Sequence, residues 1–396
     1  MSMFKRELFL TILPHLQHKN AIVITGMRQV GKTTLMRQLA DAWTDKHGWY
    51  DFDNPLDYLL FENPDYNAIY EDLRKAVGAK KEERFLVCID EIQNFPEITS
   101  IIKYLIDHYG VKFIVTGSSN YYLRNLFPES LSGRKFLYIL HPLSYREYLY
   151  FHNRLSVTEL HPSLDEIFNS YSSATVYKRK ELYNDYMIYG GFPEVAITEN
   201  IETKKLILKN IFASFFEKDI KIFSELKDIR ELRNLLLLLG PRNGNILDIT
   251  RLASELGINR VKIYNYLEFL EGTFFLRLIP KFSSSIDRSV AGGKKVYFSD
   301  TGLLNLITTT SPGQLLETTV ANQLQHYGNV SYYNKRNTAE IDFILNKDIA
   351  LEVKQKAIEK DLHKLKKLAN SINIPHHYIV SNTVTRMKRV VYPWFL

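Results

Sequence analysis

Two groups of residues in this chain have the types and spacing to do chemistry. In the first, Gly26 to Thr33 places four residues between Gly26 and Gly31, then Lys32 and Thr33. Glycines at that interval let the backbone wrap phosphate, with the N–H groups of Gly26, Gln29, Val30, Gly31, Lys32, Thr33 and Thr34 turned to the anion. Lys32 would reach the β- and γ-phosphates of ATP, and the Thr33 hydroxyl would ligate Mg2+. Further on, Phe85-Leu86-Val87-Cys88-Ile89 is an apolar run that ends in Asp90 and Glu91. Beside a phosphate loop, Asp90 would hold Mg2+, directly or through water, and Glu91 would act as general base or orient the attacking water. Thr116 to Asn120 follows another apolar run, and Ser118 or Ser119 would set a polar group between the carboxylates and the γ-phosphate; a plain turn of small polar residues is the other reading. Arg134 is a candidate arginine finger or sensor, or else a surface arginine.

The second group lies near the chain end. Glu317 falls on a helical pattern, Asp342 on a strand, and Glu352 and Lys354 on the next strand. Residues two apart on a strand share a face, so Glu352 and Lys354 point the same way and Asp342 joins them from the paired strand. Carboxylates around one or two Mg2+ ions suit phosphodiester hydrolysis, with Asp342 and Glu352 as metal ligands. Lys354 would orient the water or stabilise developing charge, and Gln355 would touch substrate. A solvated strand pair with ordinary charges is the competing reading, since Glu-x-Lys alone recurs everywhere.

The elements that would position these groups follow from periodicity. Ala21–Thr25, Phe85–Ile89 and Val111–Val115 are short apolar runs with helical patterns between them, beginning with Lys32 to Trp43. They predict an α/β fold, a parallel sheet covered on both faces. Beyond His141 the text is mainly helical, from Leu143 to Leu155 and Leu206 to Leu239, broken at Gly190-Gly191. Leu252 to Leu267 reads helix, glycine turn, helix. There Ala253, Leu256, Ile258, Ile263 and Leu267 would form a small core, and Arg260, Lys262 and Asn265 would face outward to phosphates or bases. A lid or protein contact is the alternative use. Ser283 to Lys295 reads as an exposed wing or linker. Thereafter come a helix over Leu315 to Tyr327, strands at Val330 to Asn334, Ile341 to Leu345 and Ala350 to Val353, a helix over Lys360 to Ala369 and a strand at His377 to Val380.

Composition sets the outer bounds. The 396 residues are 45% hydrophobic and 24% charged, as in a globular protein of two or three domains. The net charge of +7 favours polyanionic partners, weakly. The single cysteine, Cys88, lies in an apolar run and fits a reducing cytoplasm. No run approaches the ~18 apolar residues of a membrane span and no signal peptide is legible, so a cytoplasmic location without membrane attachment is expected. The 11 histidines show no metal-ligand spacing. Asp51 and Asp53 follow a short strand-like run and would approach the nucleotide.

The ordered motifs resemble the AAA-type ATPases of bacteria and archaea whose C-terminal half ends in a nuclease-like domain. The resemblance runs through Gly26 to Thr34, Cys88 to Gln93, Thr116 to Ser119, Ser132 to Arg134, Pro142 to Ser144, Gly190 to Glu194 and Val296 to Leu303. It ends on Glu317, Asp342, Glu352 and Lys354, the order of the PD-(D/E)xK nuclease fold, with Ile341 where that fold usually has proline. It implies a P-loop ATPase core with an additional strand over 1–140, a helical lid or connector over 141–240, a winged helix over 241–305 and a nuclease-like α/β domain over 306–396. The expected function is an ATP-binding, ATP-hydrolysing protein that acts on nucleic acid, DNA favoured, with Mg2+ at both sites and a homo-oligomeric assembly. The alternative is an ATP-gated regulatory or defence-type switch whose C-terminal domain binds without cleaving.

Overall fold

The computed structural model describes residues 4–117, 133–160, 162–168, 173–219, 226–283, 292–335 and 339–396. Ser118, Ser119 and Ser132 lie outside them, as does most of the expected wing. The chain divides into two compact units, Met1–His141 with Gly272–Phe274, and Pro142–Glu271 with Phe275–Leu396.

The first unit is built on a five-stranded parallel sheet. Its strands are β1 (Ala21–Thr25), β2 (His47–Asp51), β3 (Leu86–Asp90), β4 (Lys112–Gly117) and β5 (Lys135–Ile139), in the order β2-β3-β4-β1-β5. β1, β3 and β4 are buried along their whole length, which is why continuous apolar runs betrayed them. β2 and β5 are edge strands with half-exposed residues, and neither was anticipated as a core strand. β4 stands between β1 and β3, so Thr25, Asp90 and Thr116 reach the same carboxyl edge. Helices α1 (Lys32–Asp41), α2 (Tyr66–Val77) and α3 (Ile98–Tyr109) connect the strands. α3 buries Ile98, Ile101, Ile102, Leu105 and Ile106, a stripe at helical spacing, and stops at Gly110 in the left-handed region. Cys88 packs in β3, and burial pushes its thiol up to about 12, so it stays an unreactive core residue.

The second unit begins with helices. α4 (Tyr145–Phe151) starts at a capping box of Ser144 and Glu147, and α5 (Tyr183–Tyr189) ends at Gly190. The break at Gly190-Gly191 is a close approach: a Cβ on Gly191 would lie 2.4 Å from the Leu143 carbonyl oxygen. Asp300 locks this turn by accepting the Gly191 N–H at 2.8 Å while capping the helix that follows it. The helical stretch read from Leu206 to Leu239 comprises α6 (Ile201–Ser214) and α7 (Leu226–Leu239). α8 (Ile249–Leu256), a left-handed Gly257 and α9 (Arg260–Gly272) form the helix–turn–helix, followed by the antiparallel pair β6 (Leu276–Ile279) and β7 (Lys295–Phe298).

The remaining order is α10 (Thr301–Ile307), α11 (Pro312–Leu324), β8 (Val330–Lys335), β9 (Ala339–Leu345), β10 (Ile349–Lys354), α12 (Glu359–Ser371), β11 (His376–Ser381) and β12 (Val390–Val391). The sheet order is β12-β11-β10-β9-β8, antiparallel from β8 to β10 and parallel from β10 to β12. α11 and the strands bury Leu316, Val320, Phe343 and Leu351 in one core with Tyr145, Tyr183 and Trp394. Among the described residues no helix is long and apolar enough to cross a membrane.

Candidate functional site

At the phosphate loop the backbone does the shaping. Gly26 has φ 148°, and a Cβ there would lie 2.1 Å from the Leu140 carbonyl oxygen, so only glycine fits. Gln29 and Gly31 also take positive φ, at 61° and 96°. Gly31 is the N-cap of α1 and brings no side chain to the first-turn N–H groups. Those donors, at the positive end of a helix, suit an anion. Lys32 is buried and donates to the carbonyl oxygens of Gly26 and Met27, both at 3.0 Å.

Asp90 and Glu91 lie beside the loop. The Thr33 hydroxyl donates to Asp90 Oδ2 at 2.6 Å. The other Asp90 oxygen accepts from the Thr116 hydroxyl and from the Glu91 N–H. Thr33 thereby gives its hydrogen to Asp90 and keeps lone pairs for a hard cation. Glu91 adopts the left-handed region at φ 53° and is held by Arg28 at 3.7 Å and by the Gln93 amide. The loop geometry and the oxygen donors fit ATP with Mg2+.

Arg134 is a correction. Its carbonyl accepts the Ala21 N–H at the start of β1, whereas the loop follows the end of β1. A strand of that length separates them by about 15 Å. Arg134 pairs there with Asp107 at 2.7 Å, so it is no finger for the loop of its own chain. Asp51 lies opposite Asp90 in the strand register, but it spends an oxygen on the Asp53 N–H, and Asp53 accepts from Asn94. Both serve the turn after β2.

Three contributors escaped the sequence reading. Arg6 is buried and donates to the Val30 carbonyl at 2.7 Å and the His141 carbonyl at 2.8 Å. Thr116 is a β4 side chain that donates to Asp90. Arg28, inside the loop, steers Glu91. A buried threonine ending a strand was the one signal available in advance.

In the second unit the fold gathers Glu317, Asp342, Glu352 and Lys354. Asp342 Oδ2 accepts the Val353 N–H at 2.7 Å, tying β9 to β10. Burial, then the charges of Glu352 and Glu317, hold the Asp342 carboxyl well above the usual carboxylate range. Glu352 pairs with Lys354 at 2.8 Å. Burial opposes the charge on Lys354, but Glu352 outweighs it and raises the ammonium. Two residues of β7 join unforeseen: Lys295 pairs with Glu340 at 2.6 Å and Glu317 at 3.5 Å, and the Tyr297 hydroxyl donates to Glu317 at 2.6 Å. Among the described residues no group of three or more His, Cys, Asp or Glu is gathered tightly enough to hold a metal ion. The oxygen donor set suits a hard cation, but it already carries two ammonium groups.

On the helix–turn–helix, Arg260 and Asn265 are exposed as expected, but Lys262 is not free. It pairs with Asp228 and Glu231 of α7, both at 2.6 Å, and those hydrogen bonds raise its ammonium. The exposed face of α9 instead carries Val261 and Tyr264.

Residues 18–149 match the family described as an AAA domain, which supports an AAA-type ATPase. Residues 180–314 and 312–394 match two families described as domains of unknown function (DUF8612 and DUF4143). An uncharacterized protein of Methanocaldococcus jannaschii is 29% identical over 82% of this chain and 71% of its own length. An uncharacterized protein of Haemophilus influenzae is 27% identical over 91% and 90%. The Walker-type ATPase of Pyrococcus abyssi shares the fold at 14% identity and a TM-score of 0.50, covering 77% of this chain and 96% of that one.

Proposed function

We propose that this protein hydrolyses ATP and acts on nucleic acid, with a metal-dependent, nuclease-like site in its second unit. The observation that carries the ATPase half is the hydrogen bond from Thr33 to Asp90 beside an oriented Glu91. Bound Mg2+ would neutralise phosphate charge. Lys32 would exchange the carbonyl oxygens of Gly26 and Met27 for phosphate oxygens. Thr33 would keep its hydrogen on Asp90 and turn its lone pairs to the metal. Glu91, positioned by Arg28 and Gln93, would take the proton of the attacking water.

In the second unit Asp342 and Glu352 would hold the metal and Lys354 would stabilise developing charge on a phosphodiester. The order helix, three antiparallel strands, helix, parallel strand supports a PD-(D/E)xK-like reading of this domain. Helix–turn–helix plus β-pair supports a winged helix, with Arg260 and Asn265 as contacts to DNA. A homo-oligomer is the one setting in which Arg134 would act on a nucleotide, that of a neighbouring copy.

A second reading, an ATP-gated switch that binds without cleaving, is favoured by the two lysines already paired within the carboxylate set. Cleavage of mixed DNA and RNA substrates with Mg2+ or Mn2+, with and without ATP, separates the two. Wild-type cleavage that disappears in Asp342→Ala and responds to ATP, but not in Lys32→Ala, is expected. Intact ATP hydrolysis with no cleavage in any condition sinks the nuclease half and leaves the switch.

A further inference from the structure

Phosphate transfer is eased by a cation on the transferring group, and the arginine that the sequence offered for that task stands elsewhere. Arg134 pairs with Asp107 at the other end of β1. Arg28 lies inside the phosphate loop itself, between Gly26 and Gly31. Its Nη1 is 3.7 Å from Glu91 Oε1, and the two side chains are 15% and 16% exposed. Glu91 Oε2 accepts from the Gln93 amide, so the two carboxylate oxygens are held by different partners. Glu91 leaves β3 in the left-handed region at φ 53°, a conformation that is costly for a non-glycine residue and persists where its neighbours enforce it.

Three features bracket the space in which ATP would be split. Thr33 and Asp90, joined at 2.6 Å, mark the metal side. The first-turn N–H groups of α1, behind a Gly31 N-cap, mark the phosphates. Glu91 marks the attacking water, which must lie about 3 Å from its carboxylate and about 3–3.5 Å from the γ-phosphorus. A guanidinium 3.7 Å from the same carboxylate stands at the rim of that space. In the reaction the water oxygen bonds to the γ-phosphorus. The bond from phosphorus to the β,γ-bridging oxygen breaks, its electron pair leaves with ADP, and a water proton passes to Glu91. Negative charge meanwhile spreads over the transferring oxygens. A guanidinium carries five donors in a planar fork, so it can hold a carboxylate on one edge and a phosphate oxygen on another.

We infer that Arg28 is a catalytic residue that touches the transferring phosphate of ATP from within the phosphate loop, while its contact with Glu91 sets the base beside it. The inference rests on the reading of this site as an ATPase. It goes further in giving the loop a cation of its own, so that the chemistry needs no arginine from a neighbouring copy.

The test is isothermal titration calorimetry of the full chain with ADP and Mg2+, with and without fluoroaluminate, a planar mimic of the phosphate in transfer. Wild type should bind ADP more tightly when fluoroaluminate is present. Arg28→Gln should lose at least about tenfold of that gain and bind ADP alone much as wild type does, while phosphate release from ATP falls. Arg28→Lys keeps the charge without the fork and should retain only part of the gain. Arg28→Gln with the full gain overturns the inference even if hydrolysis slows, because the arginine would then act only through Glu91. A gain that appears only where copies associate and is lost in Arg134→Gln overturns it in favour of an arginine from a neighbour. Should Arg28→Gln fail to fold, Arg28→Lys decides, and a full gain there overturns the inference. Wild type that binds no nucleotide removes the ATPase reading and the inference with it. Wild type that hydrolyses ATP, with Arg28→Gln indifferent in both assays, removes the inference alone.

Discussion

Lys112 in the first unit and Lys295 in the second are buried almost equally, at 0% and 4% exposure. Lys112 donates to the carbonyl oxygens of Asn20 and His18 at 2.6 and 2.8 Å, and no carboxylate is paired with it among the described contacts. Burial, aided by Arg84, lowers its ammonium to about 7. Burial opposes the Lys295 charge too, but Glu317, Asp342 and Glu340 outweigh it and raise that ammonium. Equal burial therefore gives opposite charge preferences, and the neighbours decide. The same contrast separates the two sites. The phosphate site is shaped by backbone from one continuous segment; the carboxylate site is assembled from side chains of four elements and brings its own cation.

Four measurements would break or sharpen that contrast. The largest effect is expected for Lys32→Ala: phosphate release should fall by about 100-fold or more, since one preorganised charge at transferring phosphate is worth that much. Residual hydrolysis near wild type would mean that backbone alone suffices. Next is the pH dependence of stability at Lys112. Its folded value of about 7 lies below the ordinary lysine value of about 10.4, so the unfolded chain binds more protons between them. Stability from this residue should therefore rise with pH from 7 to 10, by about 3–5 kcal/mol relative to Lys112→Met. Denaturant titrations of both proteins across that window check it; parallel curves would show that the carbonyl oxygens hold the charge as well as carboxylates do. Thr116→Val should slow hydrolysis by about tenfold while leaving nucleotide binding intact, because it removes one of the two hydrogen bonds on that Asp90 oxygen and leaves it only the Glu91 N–H. The smallest change is expected for Lys262→Met, a loss of about 1–2 kcal/mol in thermal or denaturant unfolding from its pairs with Asp228 and Glu231. A large loss of DNA binding with unchanged stability would return Lys262 to the role its position first suggested.

What was legible in the sequence tracks how local each feature is. The loop, β1, β3 and β4, and the strand and helix order after Pro312 follow from short-range pattern, and Thr33 meets Asp90 because the sheet order leaves little choice. β2 showed only as a short strand-like run before Asp51 and β5 escaped, because half-exposed edge strands lack a continuous apolar run. Arg6, Thr116 and Lys295 escaped for another reason: each gains its role from a partner dozens of residues away, and nothing beside it in the sequence marks the pairing. Arg134 and Lys262 show the converse. A charged residue beside a motif looks available until the fold supplies Asp107 or Asp228.

Arg6 ties together two carbonyl groups that lie far apart in sequence, Val30 in the phosphate loop and His141 at the end of the first unit's N-terminal stretch. Gly26 presses on Leu140 one residue earlier. The loop is thus moored to the point where the chain leaves its unit. One buried guanidinium is therefore the common partner of both segments. Arg6→Met would remove both hydrogen bonds while leaving the phosphate-binding residues in place.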